Sequence, residues 1–162
     1  MSVRSAIEHR VASPDAAATH ALGVALAGVA RPGDLVCLWG ELGAGKTVFA
    51  KGFGVGLGAT TTVASPSFIL MAEHVGRLPL FHLDLYRLGG PSDVLAGGLL
   101  DDRQAAGVTL VEWPDRLGTI LPRERVDVVI EASGEVARSI VVRAEDPDLS
   151  RYVEAARRTA AR

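Results

Sequence analysis

Residues 40–47 read Gly40-Glu41-Leu42-Gly43-Ala44-Gly45-Lys46-Thr47 and fit the pattern G-x-x-x-x-G-K-[ST]. Glycines let the backbone turn tightly enough for several N–H groups to face one point, where a phosphate group can sit. In this pattern the lysine, Lys46, reaches the β- and γ-phosphates of a nucleotide. The hydroxyl of Thr47 ligates Mg²⁺. The flanks agree with this. Leu35-Val36-Cys37-Leu38-Trp39 is a short apolar run of the kind that forms a buried strand. After the loop, Val48, Phe49, Phe53 and Leu57 recur at helical spacing. A strand, a glycine loop and a helix N-terminus form the anion cradle of a P-loop. The expected fold is therefore α/β.

Working outward, 162 residues fit one domain with a sizeable core. Apolar residues make up 48% and charged residues 22%, the balance of an ordinary globular chain. A formal charge of −2 argues against a broad nucleic-acid footprint, which needs clustered cations. Lys46 and Lys51 are the only two lysines. The single cysteine, Cys37, lies within the expected first core strand. It reads as a small buried hydrophobe in a reducing cytoplasm rather than as a nucleophile. The apolar run from Ala21 to Ala30 imitates a signal peptide. It follows Glu8 and Asp15, however, and Ser13-Pro14-Asp15 reads as a helix start with a cap and a proline at the first helical position.

The chain then reads in order. An edge strand lies within residues 2–12, and a helix runs from Pro14 to about Ala30 with Leu22, Leu26 and Val29 on one face. Past the P-loop helix, Thr60 to Ser67 is a polar loop. Phe68–His74 and Leu78–Leu85 form a hairpin about Gly76-Arg77. Gly89 to Asp93 breaks the chain and caps a short helix from Ser92 to Leu100; another helical piece follows Asp101. Val108–Val111 is a strand closed by Glu112-Trp113-Pro114. Arg125–Ala132 and Ala137–Ala144 pair about Ser133-Gly134-Glu135, and Pro147 opens a C-terminal helix. The whole reads as a single P-loop NTPase domain, residues 1–162, with a mixed central sheet flanked by helices.

A P-loop alone does not say what becomes of the nucleotide. The chemistry also needs an acid at the end of a neighbouring strand, placed to hold Mg²⁺ directly or through water. Asp84, in Phe81-His82-Leu83-Asp84-Leu85-Tyr86-Arg87, and Glu112 both close apolar strands. A carboxylate there is costly unless a cation accompanies it. The plain alternative for Asp84 is an ion pair with Arg87, and for Glu112 a strand-end acid in water. Pro114 stops the strand and leaves Glu112 at the sheet edge, where such folds bind ligands. Ser65-Pro66-Ser67 stands where other P-loop proteins sense the γ-phosphate, or is a solvated turn. His82 reads as a packed strand histidine, and Trp113 as a core tryptophan or a stacking group beside the nucleotide.

Taken together, Gly-Glu-Leu-Gly-Ala-Gly-Lys-Thr, Ser-Pro-Ser-Phe, His-Leu-Asp-Leu-Tyr-Arg-Leu and Glu-Trp-Pro, in that order, resemble the bacterial TsaE (YjeE) family. The resemblance runs from about Ser13 to Ala144. It implies an ATPase component of the machinery that makes threonylcarbamoyladenosine in tRNA, next to the anticodon. It also implies partner proteins of the TsaB and TsaD type, ATP and Mg²⁺ as cofactors, contact with tRNA only through the complex, and no membrane. Position by position it implies that Gly40, Glu41, Leu42, Gly43, Ala44, Gly45, Lys46, Thr47 and Val48 hold the nucleotide. Ser67 and Trp113 lie beside it, and Thr19 and Arg138 lie on its base or ribose side. Thr47, Glu112 and Asp84 attend the metal, and Lys46, Asp84 and Glu112 carry catalysis. Two departures stand out: Glu41 where the family usually has Asp, and Ser67 where it has Thr. Both keep the functional group.

Three other readings compete. A small-molecule kinase would need an arginine-bearing lid, and only the Gly89–Gly107 insert, with Arg103, offers one. A GTPase would need a base-reading Asn-Lys-x-Asp element, which Lys51-Gly52-Phe53 does not provide. A nucleotide-binding module without turnover would leave Asp84 and Glu112 without a purpose.

Overall fold

The computed structural model describes residues 5–63, 70–97 and 102–160. Strand β1 (Ile7–Ser13) leads into helix α1 (Ala16–Ala27), and β2 (Leu35–Trp39) runs through the glycine loop into α2 (Lys46–Gly56). Strands β3 (Met71–His74) and β4 (Leu80–Asp84) follow, then the short helix α3 (Pro91–Ala96). Next come β5 (Val108–Glu112), β6 (Val126–Ala132), β7 (Arg138–Ala144) and α4 (Ser150–Ala160). The seven strands form one mixed sheet in the order β1-β7-β6-β2-β5-β4-β3. β2 pairs in parallel with both β5 and β6, and β5 with β4. β1–β7, β6–β7 and β3–β4 are antiparallel. The glycine loop thus leaves the middle strand, where the chain order reverses, the usual ligand crevice of an open α/β sheet.

Strand alternation divides the core in two. Val36, Leu38, Leu80, Leu110 and Val128 face α1, α2 and α4, with Leu22, Leu26, Phe49 and Phe53 among the buried side chains there. Cys37, Phe81, Leu83, Leu85 and Val111 face the other way, towards Val94 of α3 and Leu117. Burying each large apolar side chain contributes about 1.5–3 kcal/mol. Cys37 is fully buried. Burial, reinforced by Asp127, pushes its thiol up to about 12, which suits a packing role.

Helices α1 and α2 touch backbone to backbone. A Cβ on Gly52 would lie 2.1 Å from the His20 carbonyl oxygen, and one on Gly23 would lie 2.4 Å from that of Phe49. A side chain at either position would force the helices apart. The C-terminal helix is fastened by one carboxylate. Asp34 Oδ2 accepts from Tyr152 Oη at 2.6 Å, from the Arg31 N–H at 2.8 Å and from Arg151. Tyr152 is fully buried, and burial together with the Asp34 bond raises its hydroxyl well above the usual tyrosine range. Arg151 Nε also donates to Val29 O, and Arg77 to Ala27 O and Ala30 O, satisfying carbonyls at the end of α1.

Several boundaries differ from expectation. Ser13 does not cap α1; it is the last residue of β1, and Asp15 caps the helix by accepting from the Ala18 N–H at 2.9 Å. Either residue could cap, and β1 pairing through Ser13↔Arg138 takes the serine. Helix α1 ends at Ala27 and α3 at Ala96, short of Ala30 and Leu100; residues 98–101 lie outside the described residues, as do 64–69 with Ser65, Pro66 and Ser67. The Val108–Glu112 strand and the hairpin about Ser133-Gly134-Glu135 stand where the sequence puts them; the edge strand runs one residue further, to Ser13, the C-terminal helix opens at Ser150 after a 3-10 turn from Pro147, and residues 68 and 69 of the expected Phe68–His74 strand lie outside the described residues. No helix among the described residues is long and apolar enough to cross a membrane.

Candidate functional site

Residues 40–45 join β2 to α2, with Gly43 at φ 79° and Gly45 at φ 110°, backbone conformations that only glycine adopts readily. Gly45 stands at the N-cap of α2, so Lys46 and Thr47 open the helix. The helix N-terminus leaves unpaired N–H groups and a positive dipole end, both suited to an anion. Arg138, on β7, braces the loop from behind. Its Nε donates to Ala44 O at 2.8 Å and its Nη2 to Gly43 O at 3.3 Å. Thr19 is buried in α1, with its hydroxyl 2.7 Å from that of Ser13 and its methyl carbon 3.9 Å from where a Gly45 Cβ would be.

The acids come from the next two strands. Asp84 pairs with Glu112 across β4–β5, and Leu38 with Glu112 across β2–β5. Asp84 and Glu112 share the sheet face of Leu80, Leu110 and Leu38, which is the face of α2. Both carboxylates are buried, 8% and 4% exposed, at the sheet edge by Lys46. Leu42, Gly43, Gly45, Lys46, Thr47, Val48, Asp84, Tyr86, Arg87, Glu112 and Trp113 line one cavity of about 460 Å³. Lys46 Nζ donates to Gly40 O at 2.7 Å and lies 3.8 Å from the centroid of the Trp113 ring. Burial pulls its pKa below the ordinary lysine value; Glu112, Asp84, Glu41 and Asp115 pull it back up. Asp84 Oδ1 accepts from the Tyr86 N–H at 3.0 Å.

Trp113 is neither purely core nor purely surface. Its backbone is left-handed, φ 59°, a conformation that costs a non-glycine residue about 1–2 kcal/mol. Its ring lies 4.9 Å from that of Tyr86. A second cavity, also about 460 Å³, adjoins it: Leu42, Gly43, Lys46 and Trp113 line both, and Trp39 and Ile130 line the second alone. One partner escapes sequence reasoning: His82 Nε2 is 2.8 Å from Glu112 Oε2, and His82 is fully buried. Period-2 spacing places His82 and Asp84 on one face, and that was the available signal.

A glycine loop leaving the central parallel strand, with a lysine and a threonine opening the helix behind it and acids on adjacent strand ends, defines an α/β protein of the P-loop class. Comparison with known proteins narrows this. A family model described as "Threonylcarbamoyl adenosine biosynthesis protein TsaE" matches residues 13–140. The tRNA threonylcarbamoyladenosine biosynthesis protein TsaE of Bacillus subtilis is 45% identical over 123 residues, covering 75% of this chain and 77% of that protein. The protein of the same name from Treponema pallidum is 35% identical over 133 residues, covering 82% of this chain and 98% of its own. The crystal structure of Bacillus subtilis YdiB superposes with a TM-score of 0.79 at 34% identity, covering 95% of this chain and 97% of that one. The chain belongs to the TsaE family.

Proposed function

We propose that this protein is a Mg²⁺-dependent ATPase serving threonylcarbamoyladenosine formation in tRNA, together with partners of the TsaB and TsaD type. The observation that carries the reading is the convergence of Lys46, Thr47, Asp84 and Glu112 on one cavity beside the glycine loop. The donor set suits Mg²⁺: one hydroxyl and two buried carboxylates, all hard oxygen ligands. No three His, Cys, Asp or Glu side chains among the described residues converge as a metal cage. Mg²⁺ is commonly held by one or two carboxylates plus substrate phosphates, so a partial protein set fits.

In this reading the N–H groups of residues 42–47 bind the phosphates, and Lys46 exchanges its bond to Gly40 O for one to a phosphate oxygen. Thr47 and Glu112 would hold Mg²⁺, which would supply charge neutralisation for the phosphates. Asp84, beside Glu112, orders the attacking water. Trp113, over which Lys46 lies, and Tyr86 beside it wall the cavity. Water adds to the γ-phosphorus, the bond to the bridging oxygen breaks, and ADP and phosphate leave. A net charge of −2 fits contact with tRNA made through the partners.

One observation weighs against the kinase reading. Arg103 pairs with Glu73 at 3.6 Å, and the segment that carries it leads into Gly107, which meets Gly33 ahead of β2, at the sheet edge away from the glycine loop.

Saturating Mg-ATP is expected to stabilise the protein. At a hundred times Kd the gain is about 2.7 kcal/mol, roughly 5–10 °C for a chain of this size. GTP should give much less, and equal shifts in a thermal melt would remove the ATP assignment. Adding the cognate TsaB- and TsaD-type proteins is expected to raise phosphate release. A rate unmoved by purified, active partners would return the kinase reading to favour.

A further inference from the structure

His82 lies on β4 two residues before Asp84, and Glu112 reaches back to it across the β4–β5 pair. Directly opposite Glu112 is Asp84; the His82 contact is the diagonal one, within reach only of a long side chain. Glu112 Oε2 is 2.8 Å from His82 Nε2, in surroundings where histidine is 0% and glutamate 4% exposed. His82 Nδ1 is buried and has no hydrogen-bond partner among the described residues. A neutral imidazole carries one N–H, and a buried N–H without an acceptor costs about 1–3 kcal/mol. The proton therefore belongs on Nε2, where the carboxylate accepts it, and Nδ1 keeps a bare lone pair. Glutamate has three side-chain torsions to settle. A bond from the floor of the site fixes them and occupies one carboxylate oxygen, leaving Oε1 for the cavity.

We propose that His82 is a positioning residue: as an Nε2–H donor it holds Glu112 in the one orientation that presents a single oxygen to the metal beside Thr47. The assignment rests on the Mg²⁺ reading above. It is the mirror of the familiar metal-site arrangement in which a carboxylate orients a ligating histidine. Here the histidine orients the carboxylate.

The test is Mn²⁺ binding followed by electron paramagnetic resonance, with a non-hydrolysable ATP analogue present. His82→Leu, which keeps bulk and removes the donor, should weaken Mn²⁺ binding about 10- to 100-fold. Binding of the analogue in EDTA should stay within about twofold. His82→Gln, whose amide donates in place of Nε2–H, should recover most of the loss. In Glu112→Ala the His82→Leu change should weaken Mn²⁺ no further. Wild-type Mn²⁺ affinity in His82→Leu overturns the proposal while leaving the ATPase reading intact. Absence of Mn²⁺ binding by the wild type overturns both. Should His82→Leu fold poorly, the histidine ring ¹⁵N shifts of the wild type decide instead. The Nε2–H tautomer supports the assignment, and the Nδ1–H tautomer overturns it.

Discussion

Replacing Lys46 by alanine is expected to reduce ATP hydrolysis by about 10²- to 10³-fold or more, the scale on which enzymes lose rate when one preorganised donor to developing charge is removed. Lys46 is 5% exposed and opens α2, and Lys51, the other lysine, sits exposed further along the same helix. The substitution removes from the cavity wall the cation whose pKa Glu112 and Asp84 hold up. Two readouts should move together: phosphate release falls, and the thermal shift on adding Mg-ATP disappears. Lys51→Ala should change neither. Hydrolysis at the wild-type rate in Lys46→Ala would place the nucleotide elsewhere.

Glu112→Ala is expected to abolish turnover by a different route. The phosphate cradle survives, so ATP in EDTA should still bind, but adding Mg²⁺ should no longer strengthen binding or start hydrolysis. This variant also strips His82 Nε2–H of its acceptor and should unfold more easily by about 1–3 kcal/mol. Glu112→Gln separates the effects. The amide oxygen still accepts from His82, so stability returns, while the lost charge keeps activity down. Normal turnover in both variants would remove Glu112 from the site.

The two experiments probe parts of the molecule that were unequally legible in the sequence. The glycine loop, its strand and its helix are local features: spacing and composition within about 25 residues specify them. The acids were legible as strand-end carboxylates, but their shared face required the register Asp84↔Glu112, which follows from pairing and not from either segment alone. His82 is the packed strand histidine that the sequence suggests, but its bond to Glu112 was hidden for the same reason. A histidine in an apolar strand reads as packing until its diagonal neighbour is known. The fastening of the C-terminal helix was out of reach, because Asp34 and Tyr152 meet across 118 positions of chain. The start of α1 failed for another cause: two good caps stood two residues apart, and sheet pairing decided between them.

The glycines where α1 crosses α2 limit how this molecule can respond to a ligand. Each helix sets a carbonyl oxygen where a methyl group on the other would have to go, so the two backbones lie against each other with no side chain between them. The close crossing ties α1 to α2, which carries Lys46 and Thr47 at its first turn. A ligand that displaced α2 would be expected to carry α1 with it, and with α1 the α4 helix packed against it.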